Sequence, residues 1–343
     1  MSSANIVEQA KRTAAFAAVD KHVDSSVRVL GIGSGSTVVY AAERLLELKN
    51  EGKLHPELLC VPTSFQSKQL IVDAGLRAVD LDDLPVLDAA SGSFASINVT
   101  IDGADEVDSE LNAIKGGGGA HLREKLVANA SRKLVLIADS RKDSETLGTK
   151  WDKGIPVEVS PLAWRTIKRQ LERLVPQSRA QCNTLASSAA FSFANPKAEL
   201  RQAVRKAGPV VTDNGNFILD VAVGSIYDPL SVEQLIKMIP GVIEVGIFSG
   251  MAKEAWFGNE DGSIVCRVPK SESHTSMFVR PKKPVVEEPV RVSLKELGFE
   301  FDSRDGLLRN IDTHKPYRHE HFGKDKTKNA ELYEKLIQNA PRK

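Results

Sequence analysis

The sequence predicts an α/β fold: a doubly wound parallel sheet with a smaller inserted α+β lid domain, then a C-terminal extension. Apolar runs at Val27–Gly31, Leu58–Pro62, Ile97–Ile101 and Leu134–Ala138 are separated by stretches of helical spacing, the alternation of βαβ units. A glycine-rich turn follows the first run and an acidic turn the third, at strand ends where open sheets hold ligands. From Val157 the alternation stops. Val157–Val159, Thr184–Phe193, Phe217–Val223 and Ile243–Ile247 read as strands, with helical stretches at Pro161–Leu174 and Ser231–Met238, an α+β pattern.

The first strand runs into Gly31-Ile32-Gly33-Ser34-Gly35-Ser36-Thr37, and Val38 to Leu48 continue with helical period. Strand, glycine turn and helix make an anion site, because the first amides of a helix lack backbone acceptors and its dipole favours negative charge there. The dinucleotide fingerprint is incomplete, since Ser36 stands where its third glycine belongs, and no Gly-Lys-Ser/Thr closes a Walker loop. A phosphate monoester suits this turn better than a dinucleotide.

In the third run Ile97, Val99 and Ile101 alternate, and then Asp102, Asp105, Glu106 and Asp108 crowd the strand end. Carboxylates accept several hydroxyl hydrogen bonds, which suits a polyol. A calcium loop is the rival, but the EF-hand order of ligands, with its glycine and closing glutamate, is absent.

Lys115 to Lys125 read Lys-Gly-Gly-Gly-Gly-Ala-His-Leu-Arg-Glu-Lys. Consecutive glycines permit positive φ and let a ligand approach the main chain. Leu122, Leu126 and Ala130 then fall on one helical stripe, so the turn opens a helix over about Ala120 to Ser131. Lys115 before the turn and Glu124 one turn inside the helix add a cation and a carboxylate to free amides. That set suits proton transfer beside a developing enediolate. The competing interpretation is a flexible loop before a surface helix with Arg123, Glu124 and Lys125 solvated.

Taken in order, Gly-Ile-Gly-Ser-Gly-Ser-Thr (31–37), Asp-Gly-Ala-Asp-Glu-Val-Asp (102–108) and the 115–125 run resemble the type A ribose-5-phosphate isomerase family. Pro62-Thr63-Ser64 with Ser67, Pro156-Val157-Glu158-Val159, Thr212-Asp213-Asn214-Gly215-Asn216 and Pro240-Gly241-Val242-Ile243-Glu244 extend the resemblance over about Ile6 to Val268. The resemblance implies an aldose–ketose isomerase with Glu124 as general base, moving a proton between C2 and C1 of the open-chain sugar. It implies that Lys115 and the amides of Gly116, Gly117, Gly118 and Gly119 stabilise the enediolate oxygen, that Asp102 assists ring opening and that Asp105 holds sugar hydroxyls. The phosphate is expected on Ser34, Gly35, Ser36 and Thr37, with Lys11 as counter-charge. A further family lysine before the Pro156 strand falls on either Lys150 or Lys153. His121 departs from the family, where an apolar residue is usual, and reads as a rim or core histidine.

The resemblance also implies the organisation: residues 1–155 and 250–268 as a Rossmann-like catalytic domain and 156–249 as a lid and oligomerisation domain. Ala252–Val268, with a turn at Asn259–Gly262, is expected to return to the first sheet. A homodimer or homotetramer is implied, with a pentose phosphate as small-molecule ligand and no metal or cofactor. A non-catalytic sugar-phosphate sensor of the same superfold is the alternative, although such sensors carry a DNA-binding helix-turn-helix for which the N-terminal segment is too short.

Composition fits this picture. With 46 basic and 45 acidic residues, a formal net charge of +1 gives no electrostatic reason for nucleic acid or an anionic membrane as partner. No run of eighteen apolar residues reads as a membrane span and no leader is recognisable. Cys60, Cys182 and Cys266 lie far apart and suit a reducing cytoplasm, and no His/Cys cluster has metal-ligand spacing. Asp139, closing the Leu134 strand, reads equally as a turn-former or as support for the site.

Residues 269–289, rich in proline and charge, read as a disordered linker. The 290–343 segment is similar to the opening of an Argonaute-binding protein domain family, through Glu-Leu-Gly-Phe-Glu-Phe, Gly-Leu-Leu-Arg-Asn-Ile-Asp-Thr and Lys-Asn-Ala-Glu-Leu-Tyr-Glu-Lys-Leu. It is a candidate module for a protein partner, with a helix expected over Asn329–Asn339. His314, His319 and His321 read as a basic tail because nothing completes a metal site. Truncation after Val268 is expected to leave the steady-state kinetics unchanged; a large fall in kcat would contradict the accessory reading.

Overall fold

The computed structural model describes residues 3–84, 95–174, 196–269, 299–302 and 307–310. The strand expected at Thr184–Phe193, Cys182, the 270–289 stretch, the Asn329–Asn339 helix and the histidines at 314, 319 and 321 lie outside them. The chain divides into two compact units, Met1–Phe278 and Val279–Lys343.

In the first unit, β1 (Val29–Ile32), β2 (Leu59–Pro62), β3 (Arg77–Ala78), β4 (Val99–Gly103), β7 (Leu134–Asp139), β13 (Ala252–Gly258) and β14 (Ile264–Arg267) form one sheet of order β14-β13-β7-β4-β1-β2-β3. All neighbours are parallel except the β13–β14 hairpin at the edge. The chain from residue 252 therefore rejoins the first sheet and turns back at Asn259–Ser263. Alternation along the strands explains why both faces are covered. Leu30 and Ile32 pack under α1 (Ser3–His22) and α2 (Val38–Asn50) with Ala15, Val19 and Leu45. Val29 turns to the other face, against Val127 of α4 (His121–Asn129).

From β1 the chain moves to β2 on one side, whereas β4 lies on the other. This reversal opens a crevice at the carboxyl ends of β1 and β4, where an α/β sheet binds its ligand.

A second sheet, order β11-β8-β10-β9, is antiparallel and comprises β8 (Ile155–Val159), β9 (Lys197–Leu200), β10 (Phe217–Ala222) and β11 (Val242–Val245). With α5 (Trp164–Leu171) and α6 (Pro229–Lys237) it encloses its own core of Val157, Ile167, Leu219, Val221, Val232 and Ile236. A small sheet joins the β5 (Glu106–Val107) and β6 (Ala113–Ile114) hairpin to β12 (Ile247–Phe248), so that Lys115 donates its amide to Gly246 at 2.8 Å.

In the second unit the described backbone is a hairpin of β15 (Phe299–Asp302) and β16 (Leu307–Asn310), with Phe299 opposite Asn310.

Helix α1 sits close on β13: a Cβ at Gly258 would lie 1.9 Å from the Ala10 carbonyl oxygen. That contact is backbone to backbone and has no flexible end to yield. Gly258→Ala is expected to cost about 1–3 kcal/mol, read as a lower urea midpoint at unchanged slope. An unchanged midpoint would mean that α1 is not seated on β13.

Candidate active site

The cleft is built from three backbone turns. The first follows β1, where Gly35 takes φ 103° before Thr37 opens α2. Close packing drives the glycine choice at position 33, since a Cβ there would fall 1.9 Å from Asp102 Oδ1. The second turn follows β4, where Asp102 Oδ1 accepts the amides of Ser34 at 3.0 Å and Gly103 at 2.7 Å and so ties the two loops together. The third is the glycine run after β6, with Gly116 at φ 96° and Gly119 at φ 84°. Those values exclude side chains that need negative φ.

Helix α4 begins where the sequence places it, but it buries a different face. Its inner residues are His121, Glu124, Val127 and Ala128, whereas Leu126 is 51% exposed. Hydrophobic spacing alone chose the leucine stripe; the buried face instead carries an acid and an imidazole. Ala120 offers the helix no side-chain cap, which leaves its first amides without an intrahelical partner.

These turns enclose a cavity of about 380 Å³ lined by Lys11, Ser34, Gly35, Ser36, Thr37, Asp105, Lys115, Gly116, Gly117, Gly118, Gly119 and Glu124. Asp102 is one step removed, fully buried behind Lys115. The Lys115 ammonium lies 2.9 Å from Asp102 Oδ2 and 3.4 Å from Glu124 Oε2. Burial opposes its charge, but Asp102 and Glu124 outweigh that and hold it above the ordinary lysine range. Burial pushes the Glu124 carboxyl up to about 8, with the Asp102 charge adding to the rise and Lys115 opposing it. Asp105 is raised by burial as well, against the pull of a 2.7 Å bond from the Gly117 amide.

At the other end, Lys11 reaches Ser36 Oγ at 3.0 Å and Glu8 at 2.8 Å. Ser34 Oγ contacts Thr63 Oγ1 at 2.8 Å and Ser64 Oγ at 2.7 Å, and the Gly35 amide donates to Gln66 Oε1 at 2.9 Å. Among the described residues no acceptor is bonded to the amides of Ser36, Thr37 or Gly118. Free amides at both ends suit an anion at each.

Several expectations need correction. Glu106 does not face the cleft; it is buried and accepts from the amides of Gly148, Thr149 and Lys150 and from Ser144 Oγ, which fixes that loop. Asp108 holds its own turn through Asn112. Neither Lys150 nor Lys153 lines the cavity: Lys150 donates to the Asp143 carbonyl and Lys153 lies over Trp151. Besides Lys11 and Lys115, the lysine at the cleft is Lys142, beside Arg141 and Asp139. Its only signal in the sequence is its place just beyond a strand's carboxyl end. Among the described residues no group of three His, Cys, Asp or Glu side chains is placed to hold a metal.

Gln66, Arg201 and Asp213 were also missed. The Phe65 amide donates to Asp213 Oδ2 at 2.8 Å, across the cleft mouth. The Thr212–Asn216 motif was visible, but nothing in the chain marks which distant loop it meets.

The scaffold defines the class first: a doubly wound α/β protein whose cleft presents free amides and cations to an anionic, hydroxyl-rich ligand. Residues 59–262 match the sequence model of the ribose 5-phosphate isomerase A (phosphoriboisomerase A) family. A ribose-5-phosphate isomerase of Cryptococcus neoformans is 47% identical over 76% of this chain and 80% of its own length. One from Dictyostelium discoideum is 48% identical, covering 76% and 98%. A solved D-ribose-5-phosphate isomerase in complex with phospho-erythronic acid shares 36% identity, with TM-score 0.64, over 76% of this chain and 99% of that one. The chain belongs to the ribose 5-phosphate isomerase A family.

His121 is fully buried, and desolvation, aided by Lys125 and Arg201, lowers its imidazolium to about 3. Its nitrogens form no hydrogen bond of ordinary geometry, although the Glu244 backbone lies nearby. The unfolded chain therefore takes up this proton first as pH falls through 6.5. Stability from the neutral imidazole is full above that pH and is lost toward 3, at about 1.4 kcal/mol per pH unit. His121→Leu should flatten this loss, so its urea midpoint should fall less than wild type's between pH 7 and pH 5. Parallel falls would contradict a buried neutral imidazole.

Proposed function

We propose that the chain interconverts D-ribose 5-phosphate and D-ribulose 5-phosphate at this cleft through a cis-enediolate. One observation carries the reading: Lys115 lies between Asp102 and Glu124 on the cleft floor, 2.9 and 3.4 Å away. The phosphate sits on the Ser34–Thr37 turn, whose free amides and hydroxyls face it, with Lys11 adding charge. Asp105 accepts sugar hydroxyls. Asp102, acting through Lys115, serves ring opening.

Glu124 takes the proton from C2, and the electron pair moves to the carbonyl oxygen. A proton then passes from the C2 hydroxyl to the neighbouring C1 oxygen, which moves the negative charge to the C2 oxygen. As that charge collapses to the new C2 carbonyl, C1 takes the proton back from Glu124. Lys115 and the Gly118 amide carry the transient negative oxygen. The base contributes about 10²–10⁴-fold, and a preorganised donor aimed at the oxyanion about 10²–10³-fold. A sensor would have no use for a buried carboxyl 3.4 Å from a buried ammonium at the cleft floor, so the non-catalytic alternative is not favoured.

The second sheet and its helices, about residues 156–249, act in this proposal as the lid and as the surface for a homodimer or homotetramer. Leu162 and Met238 there leave large apolar side chains 97% and 80% exposed. The setting proposed is the cytoplasm. No helix among the described residues is long and apolar enough to cross a membrane.

Glu124→Gln is expected to lower kcat by about 10²–10⁴-fold while inorganic phosphate still binds competitively. The base must be ionised, so kcat/KM should rise with pH through a midpoint well above the ordinary carboxylate value of about 4.3. Near-normal turnover in the variant, or a midpoint at the ordinary value, would remove Glu124 from this role.

A further inference from the structure

We propose that Arg201 is a positioning residue for this reaction: oriented by Asp220, it fixes the direction in which the amides of the glycine loop point. The proposal rests on the reading of Lys115 and Glu124 as the enediolate site. Arg201 follows β9 directly, and its backbone is paired to Ile218 of β10. Its guanidinium meets Asp220, also on β10, as a two-pronged pair, Nε to Oδ2 at 2.8 Å and Nη2 to Oδ1 at 2.5 Å. Both side chains are largely covered, at 16% and 20% exposure. Arg201 is thus held by the rigid second sheet before it touches the loop.

The remaining donor crosses to the cleft. Nη1 donates to the carbonyls of Gly116 and Gly117, 3.0 Å from each. A run of glycines has no side chains to hold its peptide planes, and each plane can flip at little cost. In a trans peptide the carbonyl and the following amide point in opposite directions. Holding the Gly116 carbonyl therefore turns the Gly117 amide toward Asp105, where its 2.7 Å bond is made. Holding the Gly117 carbonyl turns the Gly118 amide away from Arg201. That amide has no acceptor among the described residues, and the space where a Gly118 Cβ would stand is open.

One guanidinium thus sets two donors, one for the hydroxyl-binding carboxylate and one for the oxyanion. The charge it places on the carbonyl side also polarises both peptide groups, which strengthens the amides as donors. A lysine cannot make the fork to Asp220 and reach both carbonyls at once.

The test compares Arg201→Met and Asp220→Asn with wild type and Glu124→Gln on ribose 5-phosphate. Competitive inhibition by inorganic phosphate reports the other end of the cleft. Arg201→Met is expected to lose about 10–100-fold in kcat, with KM and phosphate inhibition within about threefold of wild type. Asp220→Asn leaves the guanidinium present but unaligned and should show a smaller kcat loss of the same kind. A wild-type kcat in Arg201→Met overturns the proposal, as does a loss expressed entirely in KM. If Arg201→Met does not fold, the Asp220→Asn kcat decides in the same sense. Normal turnover in Arg201→Met beside a dead Glu124→Gln overturns only the positioning role, whereas normal turnover in Glu124→Gln removes the base on which it rests.

Discussion

A lysine ammonium that is 2% exposed must be neutralised by its surroundings or lose its proton. Lys115 keeps its charge because Asp102 and Glu124 stand on two sides of it, the Gly103 carbonyl accepts from it, and the Phe248 ring lies 5.4 Å away. These groups come from three pieces of the fold: Asp102 and Gly103 at the end of β4, Glu124 on α4, and Phe248 on β12. The parallel sheet brings the end of β4 beside the end of β1, and the small β5–β6–β12 sheet sets Lys115 at the crossing. Removing one partner of such a buried set costs about 3–5 kcal/mol, because the other charge is left uncompensated. The same arrangement that strains stability leaves Glu124 reluctant to ionise, as the base of the proposed reaction should be.

Much of this was legible because glycine and aspartate mark backbone turns directly. The Gly31–Thr37 turn, the Asp102–Asp108 stretch and the Gly116–Gly119 run each sit at a strand end where the alternation of strand and helix places them. Local pattern is enough for that inference, since turn, helix start and strand end lie within a dozen residues. Ser34, Asp105, Lys115 and Glu124 all reach one cavity for this reason, and Lys11, expected from the family resemblance alone, lines it from α1.

What was not legible depends on contacts between distant segments. Four carboxylates crowd the end of β4, yet Glu106 turns away to hold the 144–150 loop. Alternation sends neighbouring side chains to opposite faces, and composition does not reveal which face is the cleft. Arg201 stands 85 residues from Gly116, and no spacing rule connects them. Lys142 was passed over in favour of Lys150 and Lys153 because a short 3₁₀ turn after Asp139 carries it to the cleft. On α4 the apolar stripe misled, since the functional face is also the buried one.

The division of labour follows from rigidity. The first sheet supplies the turns that line the cavity, and the second supplies Arg201 and Asp213, which reach over the cleft from paired strands or the loop between them. Isomerisation in heavy water tests the proton shuttle most directly. If Glu124 carries hydrogen between C2 and C1, ribulose 5-phosphate should acquire solvent deuterium at C1, at up to one equivalent and on one face only. No deuterium gained at C1 or C2 even after many reversible turnovers would contradict a proton held on an exchangeable carboxyl, and would point to a hydride shift with no enediolate for Lys115 to hold.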